Sequence, residues 1–437
     1  MTTLEELTGP FVSLAGRLGS ARCPPEEPAV GRIFCADVTH AQAFGSGVSW
    51  YCGVGRDTHR DVAVAAAVGE AFERYGLRDL DDTRTRTASP AELASQGERF
   101  LSPAELAAVH EPGEATARLR PPPAGDTPIR WLPAQDLVTG DPVFVPAMYC
   151  IYLEHGCDGC GREHGEAPWC LPTSNGTAAG TSPVEACLSG LLELVERDAF
   201  MLMWYHRLRF PFLRIDPHTR LGQRIDGMFG RARVEVRFLD LTEVHGVPVV
   251  VAVARGNSRG EPVFAIGGSA GLDLTTAVWK AAREVAGLYT LARGETVHGR
   301  ARRLTPERVA RFEDHLRYYA DPAHQRELDF LLAERDGPPV PVPRATDPPP
   351  AADALRRLTS RLREDDIRSY AVDLTPVGAP SGLHSYKVVS PDLIPLDFHH
   401  QVRHLNRPRL LTEPTRRGWR PDQPGLDQLN HAPHPFP

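Results

Sequence analysis

The chain has 437 residues, 41% of them hydrophobic, enough to bury a substantial core and to form two or three subdomains. A net charge of −7 and a pI near 6.2 exclude a globally basic nucleic-acid binder. No apolar run reaches the length of a membrane span, and the first twenty residues lack a basic start followed by an apolar core. A soluble, cytoplasmic protein with no membrane partner is therefore expected. Eight cysteines are too dilute for a disulfide scaffold. Lys280 and Lys387 are the only lysines, so any phosphate clamp must be built mainly from guanidinium or backbone groups.

Residues 1–45 form an N-terminal segment of low information. Gly53-Val54-Gly55-Arg56 reads as a turn leading into a helix that carries Glu70 and Glu73. It is not a P-loop, because no Gly-Lys-Ser/Thr follows. Residues 80–128 are polar and suit surface helix and linker, whereas 129–153, including 142–146 and 149–152, have strand character. Cys157-Asp158-Gly159-Cys160, with His155, His164 and Cys170 nearby, has the ligand types for structural Zn²⁺. The irregular spacing and the lack of a second CxxC favour a reduced loop instead.

The most informative stretch is 174–200. Ser174-Asn175-Gly176-Thr177-Ala178-Ala179-Gly180 reads as a loop of small residues whose backbone N–H groups can approach a ligand. Ser182, Pro183 and Glu185 then supply an N-cap, an N1 proline and a capping-box carboxylate. At about 100° per residue, Val184, Leu188, Leu191, Leu192, Val195 and Ala199 share a core face. Glu185, Ser189, Glu193 and Glu196 line the stripe beside it, and such carboxylates are costly unless a cation sits among them.

An upstream echo sharpens that reading. Glu70-x-x-Glu73-Arg74 repeats the pattern of Glu193-x-x-Glu196-Arg197, and glutamates three apart face the same way on a helix. Two such helices packed together would gather four carboxylates, a set suited to a hard divalent cation. Mg²⁺ usually arrives with phosphates, so a nucleotide site is expected.

Residues 232–268 read as three strands of a mixed or antiparallel sheet. Gly267, Gly268 and Gly271 then lead into a helix from about Thr276 that carries Glu284. Residues 336–351 form a proline-rich insertion, 368–396 return to strand character, and 412–437 make a polar tail ending Pro433-His434-Pro435-Phe436-Pro437. The fold class expected is α/β (mixed α+β).

With these pieces assembled, the chain resembles the YcaO family, enzymes that use ATP to activate peptide-backbone amides. The resemblance rests on Ser174-Asn175-Gly176, Ala178-Ala179-Gly180, Glu185-Ala186, the block 192–199, Glu70-x-x-Glu73-Arg74, and Ala277-x-x-x-Ala281-x-x-Glu284. It runs from about residue 50 to 411. It implies a YcaO catalytic domain over 46–411, with Mg²⁺ held by Glu70, Glu73, Glu193 and Glu196. ATP would meet Glu70, Arg74, Ser174, Asn175, Glu185, Arg197 and Glu284. The Pro-x-Pro-x-Pro ending resembles the azoline-forming cyclodehydratases, whose tail is threaded toward the active site, and it implies catalytic roles for Pro433, Pro435 and Pro437.

The same resemblance implies a ribosomally made precursor peptide as substrate and an E1-like or leader-binding companion protein. A flavin-dependent azoline dehydrogenase would follow, and a homodimer is expected by analogy. Ala66, Val54, Gly287 and Tyr289 stand where the family usually has Ser, Lys, Gln and Arg. These departures keep a catalytically silent scaffold subunit open as an alternative. Thioamide or amidine formation is another, against which the tail argues.

Overall fold

The computed structural model describes residues 15–22, 26–38, 52–77, 82–110, 116–151, 166–298, 304–333, 335, 337–345 and 347–436. It is a mixed α/β structure with several antiparallel sheets. The chain divides into two compact units. The first comprises 1–21, 32–194 and 350–392, and the second 22–31, 195–349 and 393–437. Among the described residues no helix is long and apolar enough to cross a membrane.

In the first unit, a three-stranded sheet of Ala15–Arg22, Arg32–Val38 and Cys52–Asp57 carries the helix Arg60–Gly76. Gly53 and Gly55, expected in a turn, lie instead within the strand Cys52–Asp57, antiparallel to Arg32–Val38. Close packing is the reason. A Cβ on Gly53 would fall 1.9 Å from the carbonyl oxygen of Ala67, and one on Gly55 1.7 Å from that of Ala63. Only glycine lets the helix backbone lie directly on the strand. The helix answers with small residues on that side, where Ala63, Ala67 and Ala71 are fully buried.

A second sheet in this unit runs in the order Arg86–Ala88, Ile129–Asp136, Tyr370–Asp373, His384–Val389, Thr177–Gly180, with Pro142–Pro146 paired to Ile129–Asp136. Every neighbouring pair is antiparallel. The expected loop 174–180 is therefore a turn followed by a strand at the edge of this sheet, paired with His384–Val389. Thr177 N–H donates to Ser174 O at 2.9 Å, and Gly176 has φ +78°, as the third residue of a type II turn requires. Residues 149–150 belong to a helical turn, Ala147–Cys150, rather than a strand. Ser-Pro-x-Glu opens Pro90–Ser95 and Pro103–Leu106 with complete capping boxes. The same four residue types precede the long helix Pro183–His206, where Glu185 N–H donates to Ser182 Oγ at 3.3 Å.

That long helix departs from the amphipathic pattern beyond its second turn. From Leu191 to Tyr205 only Glu193 and Arg197 escape burial, and they do so in part. Helices apolar on all sides belong in an interior.

In the second unit, Glu235–Asp240, Val249–Ser258 and Glu261–Ala270 form an antiparallel meander in the predicted places. The helix Leu274–His298 follows directly and packs on Val249–Ser258 and Glu261–Ala270. Within the proline-rich stretch, Val340–Pro341 pairs in parallel with Leu213–Arg214. Thr412 lies inside the helix Pro408–Arg416. Residues 429, 430 and 433–436 are buried, so the end of the tail is part of this unit's interior.

Candidate functional site

The glutamates of the two Glu-x-x-Glu-Arg motifs are not loose surface carboxylates. In the first unit, Glu70 Oε2 accepts from Val54 N–H at 2.9 Å, and Glu73 Oε1 accepts from Ala179 N–H at 2.9 Å. In the second, Glu196 Oε2 accepts from Ala270 N–H at 3.1 Å, and Glu284 Oε2 accepts from Gly268 N–H at 3.0 Å. Each carboxylate is thus aimed by the amide of a strand. Such charge-assisted bonds fix orientation and leave the remaining oxygen lone pairs for other partners.

The arginines complete each motif. Arg74 Nη2 donates to Glu70 Oε1 at 3.3 Å, and Arg197 Nε lies 3.6 Å from Glu196 Oε1. Both arginines therefore order their own glutamates.

Glu73 is the most perturbed member. Burial pushes its pKa up to about 8; the Ala179 amide and Arg74 act against this, and the charges of Glu70 and Glu193 add to it. Glu70, Glu73 and Glu193 therefore form one acidic cluster in the first unit. A desolvated carboxylate beside like charges is held at a cost which a divalent cation would remove. Among the described residues no group of three or more His, Cys, Asp or Glu side chains already converges as a metal cage. The chemistry of the donor set nevertheless fits Mg²⁺, which takes one or two carboxylates and completes its shell with water and phosphate.

Around this cluster, Asn175 is buried, and its Nδ2 donates to Thr173 Oγ1 at 2.9 Å. Gly190 lets the long helix close on the turn, since a Cβ there would fall 2.4 Å from Gly176 O. Glu185 Oε2 accepts from Thr181 N–H at 3.1 Å, which makes it a cap of the helix start. Lys387 was not predicted for the site, yet it is 1% exposed and donates through Nζ to Thr173 O. Burial lowers its pKa to about 8, against which Cys150, Glu193 and Cys170 act. Its rarity as one of two lysines was the signal available in the sequence.

Cys157 and Cys160 lie outside the described residues, as do His155 and His164. Cys170 is a buried thiol in the same apolar cluster as Cys150, and its Sγ lies 3.7 Å from Met148 O. No described residue supports a zinc site.

In the second unit the tail approaches the Glu196–Arg197 pair. Phe436 is fully buried, with the Arg197 guanidinium 4.4 Å from its ring centroid. A Cβ on Gly268 would lie 2.9 Å from that ring and 3.2 Å from Glu196 Oε1. Pro433 and Pro435 are buried, and Pro437 lies outside the described residues. Asp198, which entered the sequence reading only within the block 192–199 and with no role of its own, is completely buried. It accepts from His245 Nε2 at 2.8 Å, Ile394 N–H at 2.9 Å and Arg409 Nε at 3.0 Å. It follows Arg197 directly and anchors this part of the helix.

Comparison with known proteins agrees with the geometry. The family described as YcaO cyclodehydratase, ATP- and Mg²⁺-binding, matches residues 54–394. An uncharacterized protein of Methanothermobacter thermautotrophicus is 30% identical over 297 residues, covering 65% of this chain and 69% of that protein. A heterocyclase solved in complex with substrate and cofactor superposes with a TM-score of 0.74 at 22% identity. That match covers 99% of this chain and 56% of the heterocyclase, so the chain spans little more than half of that protein's length. YcaO from Methanopyrus kandleri, bound with AMPPCP and Mg²⁺, gives a TM-score of 0.59 at 22% identity, covering 90% of this chain and 89% of that one. With the family pattern spanning most of its length, this chain belongs to the YcaO family.

Proposed function

We propose that the chain is an ATP-dependent peptide cyclodehydratase. In this reaction a Cys, Ser or Thr side chain of a precursor peptide attacks the carbonyl of the preceding residue. Mg-ATP supplies the phosphoryl group that turns the former amide oxygen into a leaving group. Phosphate departs, ADP remains, and a thiazoline or oxazoline ring is left in the peptide.

The observation that carries this reading is the set of glutamates aimed by strand amides, with an acidic cluster around Glu73. In this reading Glu70, Glu73, Glu193 and Glu196 serve as Mg²⁺ ligands, while Glu284 contributes to the nucleotide. The ion's part would be to neutralise phosphate charge. Arg74 and Arg197 keep their glutamates in place, Ser174 and Asn175 line the nucleotide, and Glu185 fixes the start of the helix that presents Glu193. Pro433, Pro435 and Pro437 deliver the tail toward the reacting groups. The catalytic domain is taken as 46–411 and the tail as 412–437. The proposed companions are a leader-binding, E1-like protein, a flavin-dependent azoline dehydrogenase acting afterwards, and a second copy of this chain.

The test is mass spectrometry of the precursor peptide after incubation with the protein, its companion and Mg-ATP, with phosphate release followed in parallel. Loss of one water per modified residue supports the reading. A gain of sulfur in place of oxygen would establish thioamide formation instead. An unmodified peptide with no phosphate released under any pairing would leave the scaffold role.

A further inference from the structure

Side chains alternate across the inner strand His384–Val389, so Ser385, Lys387 and Val389 share one buried side. Val389 belongs there to the apolar cluster that also holds Leu77, Cys150 and Cys170. A plain core would place an aliphatic residue at 387. Lysine is almost never fully buried without a partner, because taking its ammonium out of water is costly. Lys387 is nevertheless 1% exposed. Its Nζ donates to a backbone carbonyl, Thr173 O, and lies 5.9 Å from the centroid of the Tyr149 ring.

That carbonyl opens the turn that carries Ser174 and Asn175. Thr173 Oγ1 accepts from Asn175 Nδ2 at 2.9 Å, Ser174 O from Thr177 N–H at 2.9 Å, and Gly176 O from Val388 N–H at 2.8 Å. The adjacent residues Lys387 and Val388 thus grip the turn at its two ends. The Val388 bond is made by backbone and asks nothing of the residue type. The bond to Thr173 O needs a long side chain with a donor at its tip, and a charged donor makes it stronger. The charge of Glu193 acts on the same ammonium, so the cation that holds the turn also answers the acidic cluster.

We propose that Lys387 is a positioning residue for nucleotide binding: by holding Thr173 O it fixes the turn that presents Ser174 and Asn175. The inference rests on the function proposed above, in which those two residues line the nucleotide. Lys387 acts through the turn, not on the reacting atoms.

The test is Lys387→Met in the full chain, which keeps the apolar stem of the side chain and removes its donor and charge. Binding of AMPPCP with Mg²⁺, measured by titration calorimetry, should weaken about tenfold, as for loss of a hydrogen bond from a charged group. The melting temperature should hold, because a buried charge leaves together with the bond. Exchange of the Thr177 amide, which closes the turn, should quicken, and in turnover KM for ATP should rise with kcat little changed. Thr173→Val withdraws the acceptor of Asn175 and should weaken binding in the same direction, with the double variant losing less than the two losses combined. Wild-type affinity in Lys387→Met would overturn the proposal. So would a lower melting temperature with Thr177 exchange and the affinity of the folded protein unchanged, the signature of a lysine that only fills the core. A wild-type chain that binds no AMPPCP would overturn the function proposed above, and this proposal with it.

Discussion

Glu284 Oε2 accepts from the amide of Gly268, sixteen residues before it, at 3.0 Å, and Glu70 takes the amide of Val54 at the same separation. Each unit thus contains a glycine-bearing strand, a tight connection and a helix whose glutamate reaches back to that strand. Glycine makes the closure feasible in both. A Cβ on Gly267 would lie 2.9 Å from Val285 N, as one on Gly53 would strike Ala67 O. The glycine run that leads into the helix carrying Glu284 is this repeated device.

The two glycines of one region should respond oppositely to alanine. Gly53→Ala forces a Cβ against a helix carbonyl and is expected to cost about 3 kcal/mol, the upper end of ordinary overpacking. At Gly69 an added Cβ meets nothing within 4 Å. Gly69→Ala should therefore stabilise by roughly 0.5–1 kcal/mol through helix propensity and unfolded-state entropy. Urea midpoints of the two variants measure the contrast.

Glu73→Gln separates charge from shape. The raised pKa of about 8 means that Glu73 favours the fold when protonated, an advantage present below the unfolded carboxyl value near 4.5 and lost as pH rises through 8. In metal-free solution the wild-type melting temperature should therefore fall more steeply over that window than that of Glu73→Gln, whose amide oxygen can still accept from Ala179. Mg²⁺-dependent phosphate release should drop about 10²–10³-fold in the variant. Thermal melts from pH 5 to 9, with and without Mg²⁺, test both halves.

Asp198→Asn is expected to be among the most destabilising polar changes in the second unit. Burial alone would raise the Asp198 pKa, but Arg409, His245 and the Ile394 amide together hold it below its ordinary value. Its contribution is therefore present above the ordinary carboxylate range and is lost as pH falls below about 4. Removing the charge leaves Arg409 with Glu413 alone, 3.2 Å from its Nη1, and deprives His245 and the Ile394 amide of a charged acceptor, at a cost of about 1–3 kcal/mol. Chemical denaturation at pH 7 gives the loss, and a flatter acid limb in the variant gives the sign.

Phe436→Ala empties a pocket walled by Phe200, Gly268 and the Arg197 guanidinium. Large-to-small truncation of a buried ring costs about 3–5 kcal/mol. The cost should appear as release of the tail, read as faster proteolysis after Asn430 and faster amide exchange at His434. Under the proposed function azoline formation falls with it, while Phe436→Leu should restore much of both.

The start of the long helix was legible in the sequence because a cap is a local device. Ser182-Pro183-x-Glu185 specifies where a helix begins whatever lies around it. The second unit's strands were equally readable, since Val249–Ser258 is β-branched and continuous. Glu70, Glu73, Glu193 and Glu196 stood out as paired carboxylates three residues apart.

Only the tertiary structure decided what holds them. Gly53 and Gly55 look like a turn until a helix backbone is laid across them, and Thr177–Gly180 looks like a loop until His384–Val389, some two hundred residues later, pairs with it. Lys387 sits beneath Thr173 O, and the tail's carbonyls find Trp204, Tyr319 and His315, through contacts that no local pattern encodes. Periodicity and capping act within a few residues of chain. Partners brought together by sheet pairing and burial are set by the whole fold's packing, and a single sequence does not display them.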